Sequence, residues 1–440
     1  MMKKSISILL PFTILFFHYS NELVGQLMPK PAQTQTEPIL LVGATVHTGT
    51  GEIIANGAVG FKKGKITYVG PLEGIGEQKA DYKTKDVSGQ HIYPGFILLN
   101  SLIGIEEISG VPHSNDKLEE GDINPSLKTV FAFDTGSEHI PTLRFNGILH
   151  VESIRSGGLI SGTSAVMEMD GWSWQEAIFK EEAALHLHWP SSISTSYDKS
   201  TNTRNIKKNS SYDEKVMQLE NLFSAAHSYK SIDGKTTNLK LEALQGLFEG
   251  KKVLAVHAEE PKEIIEGITF AKSHQVKNIV LVATYPVLSV KEFIKENKIP
   301  VVLPPTYDYP DHDGMDYDAY YSLPHLLSQE GITVALNHYG MLSTSRNLPF
   351  YAGMAVTFGM EKEEALKLIT LNPAKILGVD DRIGSIAVGK DASIFVSRGD
   401  ALDVQTNALS MAFIRGKEIV LDGAHQESYK RYSAKYGHGE

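Results

Sequence analysis

Two groups of short hairpins bracket one long middle segment, and nothing else in the 440-residue chain restricts the fold as far. Near the start, apolar runs at 40–47, 57–61 and 65–70 are separated by the turns Thr48 to Gly51 and Lys62-Lys63-Gly64. Glycine at such places supplies the positive φ that tight turns need. Near the end, runs at 384–388, 391–396 and 412–420 repeat the style, with Gly389-Lys390 as a turn. Hairpins this short bury an apolar face only by packing together, so the two ends predict one small β-sandwich from residues 38–91 and 379–425. The middle, 92–378, is then an inserted domain.

That middle alternates apolar strands with helical stretches. Strand-like runs fall at 92–104, 147–154, 184–189, 252–258, 278–283, 300–304 and 332–336, and helical patterns at 261–274, 288–297 and 323–331. Such alternation reads as parallel βα units, most economically one closed barrel with its site at the strands' C-terminal ends. The first strand opens on Pro94-Gly95. Residues 191–238, rich in Ser, Thr, Asn and Lys around a helical patch at 213–229, read as an insertion over that face. The expected fold is therefore α/β, a distorted (β/α)8 TIM-like barrel plus a small β-sandwich formed from the N- and C-terminal segments, with 426–440 as a tail.

Residues 1–25 carry a charged head (Lys3, Lys4), an apolar run at 6–17 broken by Pro11, and a more polar end. This is the pattern of a secretory signal peptide, and 26–37 follow as a flexible leader. No later segment approaches the roughly 20 apolar residues of a transmembrane helix. The protein is expected to be exported, periplasmic or extracellular, without a membrane span after cleavage. It has no cysteine, so disulfides and Cys-ligated zinc are excluded. A formal net charge of −10 argues against nucleic acid and for a small-molecule or protein partner.

Three blocks together resemble the amidohydrolase superfamily, in particular its exported group related to imidazolonepropionases and Xaa-Pro-type dipeptidases. They are Val42-Gly43-Ala44-Thr45-Val46-His47, Tyr93-Pro94-Gly95-Phe96-Ile97, and the C-terminal run Ala365 to Val379 continuing to Gly389-Lys390-Asp391-Ala392. In the last block Asn372 is expected to cap a helix that starts at Pro373 and ends at Gly378. The resemblance implies a hydrolase of carbon–nitrogen bonds with one or two zinc-like ions. Its ligands would be two His on strand one, His on strands five and six, and an Asp after strand eight that also handles protons.

Carried over position by position, that set mostly fails. The strand-one histidines fall on Asn100 and Leu102, the strand-six His on Ala283, and the strand-eight Asp at or beside Tyr339. His257 alone survives. Leu and Ala offer no lone pair, a neutral carboxamide is a poor zinc donor, and a phenol of pKa about 10 does not replace an ionised Asp. The expected cofactor set is empty.

A rebuilt mononuclear zinc site is the alternative. His186-Leu187-His188 places two imidazoles on one strand face, His257 lies across the barrel, and Glu259 is two residues further on. His257, His338 and Glu259 are the candidate acid–base residues. Arg346 could meet a substrate carboxylate, and Trp172 and Trp174 could stack on a ligand or pack the next helix. The run Asp308 to Gly314, with Asp311, His312 and Asp313, reads as a solvated loop or a surface cation site. The favoured function is a pseudoenzyme, binding protein or partner subunit. Its partner is a small-molecule ligand or a related active amidohydrolase, with homo- or hetero-oligomers both open. The alternative is an active C–N bond hydrolase.

Overall fold

The computed structural model describes residues 30–198, 200, 203–229, 236–310, 314–338 and 340–438. The expected signal peptide and the start of the leader lie outside the described residues. The chain is a mixed α/β fold, and no described helix is long and apolar enough to cross a membrane.

Hydrogen bonding joins the two terminal segments into one eight-stranded sheet. Its path runs Lys417–Glu418, Leu409–Ile414, Ile394–Ser397, His91–Pro94, Ile39–His47, Ile53–Lys62 and Lys65–Pro71, with Lys83–Asp86 paired beside Ile39–His47. The ends meet where His91–Pro94 runs antiparallel to Ile394–Ser397. One hairpin shows the local cause. Lys62 pairs with Lys65, and Lys63 and Gly64 between them have φ of 48° and 78°, the double positive φ of a two-residue turn that suits strand twist. One face packs Leu41, Val46, Phe61, Ile92, Ile394 and Phe413, and the other packs Leu40, Val42 and Ala58 with Ile75. The two ends are thus hydrogen-bonded into one continuous sheet.

The apolar run at 92–104 serves two sheets. His91–Pro94 belongs to the terminal sheet and Phe96–Ser101 to the middle of the chain. Gly95 is the crossing point: its N–H bonds Ser393 O at 2.9 Å, and a Cβ there would lie 2.8 Å from Leu149 Cδ1. A β-carbon at this position would crowd the Leu149 side chain.

In the middle, four strands lie in the order Ile178–Lys180, Ala165–Glu168, Ile148–Ser153, Phe96–Ser101. Six more run Val334–Leu336, Val301–Leu303, Asn278–Val282, Val253–His257, Ala184–His188, Ile160–Thr163. The five from Ala184–His188 to Val334–Leu336 pair in parallel. The two sheets are linked at two places. Only Ser164 separates Ile160–Thr163 from Ala165–Glu168, and Leu99 bridges Asn337 in parallel.

Helix Pro261–Ser273 shows why the connections form. Proline opens it, and Ile264, Gly267, Ile268 and Ala271 recur at helical spacing as its buried stripe. In the C-terminal block the expected cap is displaced. The helix is Leu371–Ile376 with Thr370 at its N-cap, and Asn372 lies inside it. From inside the helix the Asn372 side-chain NH2 donates to Val334 O at 2.7 Å, a tertiary bond rather than a cap. Gly378 ends the turn with φ 62°.

The insertion has two unlike halves. Helix Tyr212–Tyr229 buries Leu219, Phe223 and Ala226, with Phe223 edge-on to Phe270 at 4.9 Å, so it is part of the core. Ahead of it, Ile193–Asp198 and Thr203–Lys208 form an isolated two-stranded hairpin. The expected tail contains helix Ala424–Tyr436, which buries none of its side chains.

Candidate functional site

Parallel register brings three histidines together. His188 pairs with His257, and His257 with Val282, at the C-terminal ends of Ala184–His188, Val253–His257 and Asn278–Val282. His186 and His188 are alternate residues and share a face. His188 and His257 stack with centroids 4.3 Å apart, and His186 Nδ1 lies 2.9 Å from His257 Nε2. The other His186 nitrogen, Nε2, meets Glu152 Oε1 at 3.3 Å.

Glu152 anchors this chain from strand Ile148–Ser153. Ser164 Oγ donates to its Oε1 at 2.8 Å and the Asn100 N–H to its Oε2 at 3.1 Å. Burial pushes the Glu152 carboxyl up, but the His186 hydrogen bond and charge, with the Ser164 and Asn100 donors, outweigh it and hold the pKa below its usual value. Burial drives His257 well below the ordinary imidazole range and His188 down to about 4, and neighbouring histidines push each further the same way. His257 and His188 are therefore neutral at pH 7.

His188 and His257 line a cavity of about 540 Å³ whose walls also include Asn100, Leu102, Val282, Asn337 and His338. His338 is held by Tyr351 Oη at 3.0 Å and Thr344 Oγ1 at 3.0 Å, and burial lowers its pKa. Lys117 on the wall is paired with Glu106 at 2.8 Å.

Among the expected site residues, His188, His257 and His338 line this cavity, as do Asn100 and Leu102, while His186 is buried beside His257 and is not on the wall. Ala283 does not line it: the position facing the cavity is Val282, and Ala283 packs into the core, one residue out of the expected register. Glu259 is exposed and off the wall, because the strand ends at His257 and its alternation stops there. Trp172 is exposed, Trp174 packs edge-on to Phe131 at 5.2 Å, and Arg346 is exposed, with its carbonyl accepting from Asn146. None of the three lines the cavity. Tyr339 and the loop residues Asp311, His312 and Asp313 lie outside the described residues.

Glu152 was the residue missed. Its only sequence signal is a carboxylate at an inward position of the run Ile148-Leu149-His150-Val151-Glu152-Ser153, where an unpaired charge is costly. Among the described residues no group of three or more His, Asp or Glu side chains is arranged to hold a metal ion. His186 has both nitrogens engaged, by Glu152 and by His257, and Leu102 and Val282 present hydrocarbon.

The cavity thus lies at the C-terminal ends of parallel strands in a mixed α/β fold whose two chain ends share one sheet. Residues 328–419 match the family described as the Amidohydrolase family. An amidohydrolase from Thermotoga maritima MSB8 superposes with a TM-score of 0.74 at 24% identity, over 87% of this chain and 99% of that one. Molinate hydrolase follows at a TM-score of 0.55 and 15% identity, covering 89% and 96%. A prolidase solved with N-methylphosphonate-L-proline gives 0.52 at 14%, covering 87% and 99%. No curated protein sequence matches. The chain thus resembles the amidohydrolases, prolidase-like proteins among them.

Proposed function

We propose that this is an exported amidohydrolase-fold protein that binds a small molecule in the histidine-lined cavity and has given up zinc-dependent hydrolysis there. The observation that carries the reading is His186, whose two ring nitrogens are both engaged, by Glu152 Oε1 and His257 Nε2. A zinc ligand needs an outward lone pair, and His186 keeps none. With Asn100, Leu102 and Val282 at neighbouring wall positions, the donor set does not fit a pair of zinc ions. The linkage of the two middle sheets at Ser164 and at Leu99–Asn337 supports a closed eight-stranded barrel, with the terminal segments as its companion β-sandwich domain.

The acid–base chemistry points the same way. An efficient general base has a pKa near the working pH, and burial leaves His257 and His188 far below it. Glu152 faces His186 and two other donors inside the protein. Its role is to orient the imidazoles. A related active amidohydrolase is the protein partner this reading admits.

The alternative, a mononuclear zinc hydrolase, draws on His188, whose buried Nε2 has no hydrogen-bond partner. Metal analysis of the purified mature protein, with assays on dipeptides and cyclic amides, separates the two. Substoichiometric metal and no turnover are expected. Stoichiometric zinc, lost together with turnover in His257→Ala, would overturn the proposal.

A further inference from the structure

A second concavity, of about 510 Å³, lies at the other end of the parallel strands. Val253 and Asn278, the first residues of two strands, line it, whereas His257 and Val282, the last residues of the same strands, line the histidine cavity. Of its 20 lining residues seven are lysine and none is Asp or Glu, in a chain whose acids outnumber Lys and Arg 52 to 42.

Helix ends explain only part of this concentration. Cations favour the last turn of a helix, which accounts for Lys272 and Lys375. Lys180 instead lies on a strand, Lys277 directly precedes Asn278–Val282, and Lys298 lies between helix Lys291–Glu296 and strand Val301–Leu303.

Neutralisation is equally partial. Glu249 holds Lys251 at 2.8 Å and Glu182 holds Lys252 at 2.5 Å, and neither carboxylate is on this wall. The charges of Asp381 and Glu152 reach Lys180, also from off the wall. Lys180 Nζ donates to Leu377 O at 2.7 Å and Lys272 Nζ to Asn297 Oδ1, so both ammonium groups lie against residues of the concavity. A Cβ on Gly250, another wall residue, would lie 3.4 Å from Lys277 Cβ, which places the Lys277 stem there as well. Lys277, Lys298 and Lys375 have no ion pair among the described residues. Like charges gathered in a cleft focus a positive potential and draw in an anion. Lysine meets phosphate oxygens as a point charge, and several ammonium groups spread over one wall match an anion whose charges are spread too.

We propose that this concavity is a site for a soluble oligophosphate, a compound with two or three linked phosphate groups, held by Lys180, Lys272, Lys277, Lys298 and Lys375. The site is separate from the histidine cavity and from the function proposed there, so metal content and turnover bear on that reading and leave this one untouched.

Tripolyphosphate, pyrophosphate and orthophosphate are the probes, with phosphatidylglycerol vesicles as the lipid source of the same chemistry. Binding is measured by calorimetry and co-sedimentation on the mature protein in buffer without divalent cations. Tripolyphosphate is expected to bind at least about tenfold tighter than orthophosphate, to weaken as salt is raised, and vesicles are expected not to sediment the protein. Lys272→Gln with Lys277→Gln should weaken tripolyphosphate at least about tenfold. Lys298→Gly should weaken it while holding or raising Tm, because glycine suits the φ of 55° better than lysine does, so its loss of binding is not a loss of fold. Lys207→Gln with Lys208→Gln makes the same charge change in the exposed hairpin and should leave binding within about twofold. No tripolyphosphate binding, orthophosphate binding as tightly, vesicle binding in its place, or the hairpin pair weakening binding as much as the wall pair would overturn the proposal.

Discussion

His188 and His257 stack at 4.3 Å across neighbouring parallel strands, at positions paired in register. Two imidazoles that close are compatible only if they are not both charged, and burial sees to it that neither is.

A pH prediction follows from that pair. The folded pKa of His188, about 4, lies below the unfolded value near 6.5, so the unfolded chain binds the extra proton between them. Stability from this group is therefore complete above pH 6.5 and is lost as pH falls toward 4. Glu168, which burial raises to about 7 against the pull of Arg415, acts in the opposite sense, so the measurement is a difference. Between pH 7 and pH 5, wild type should lose about 2 kcal/mol more stability than His188→Gln in urea denaturation. Parallel pH profiles would contradict this.

Glu152→Gln tests the anchor. The amide keeps the size but replaces one acceptor oxygen with an NH2 facing Ser164, His186 or the Asn100 N–H. A loss of about 1–3 kcal/mol is expected by denaturant titration, the usual cost of leaving a buried group unpaired.

Gly95→Ala tests the crossing between sheets. The added methyl would meet Leu149 at 2.8 Å, so overpacking should cost about 1–3 kcal/mol and lower Tm. A second change, Leu149→Ala, should recover part of the loss by opening that space.

The halves of the insertion should respond differently. Phe223→Ala removes a fully buried ring and should cost about 3–5 kcal/mol. Ile206→Ala, in the exposed hairpin, should stay within about 0.5 kcal/mol. Equal effects in thermal unfolding would contradict the division drawn here.

Chelation should leave the fold unmoved. Treatment with a strong chelator is expected to change Tm by less than about 1 °C, since a bound metal would add stability by mass action and its removal would show.

Much of the fold was legible because it rests on local signals. The Lys62-Lys63-Gly64-Lys65 turn, the stripe of helix Pro261–Ser273 and the run at 184–188 each declare themselves through spacing or turn chemistry. The exposed hairpin 193–208 did not, because strands packed on neither face need no apolar alternation. Ala283 was read one place out because a run apolar on both faces, Ile279 to Ala283, carries no period to set its register.

By itself the sequence determined the resemblance to amidohydrolases, the joining of the two ends, and the absence of donors at Leu102 and on the Asn278–Val282 strand, since these depend on residue identity and order. Only the tertiary structure decided that Glu152, 34 residues before His186, holds it from a neighbouring element. The same is true of His188 and His257, stacked because their strands pair in parallel register. Sheet register and strand order set those neighbours, and neither is written in the local pattern of any one segment.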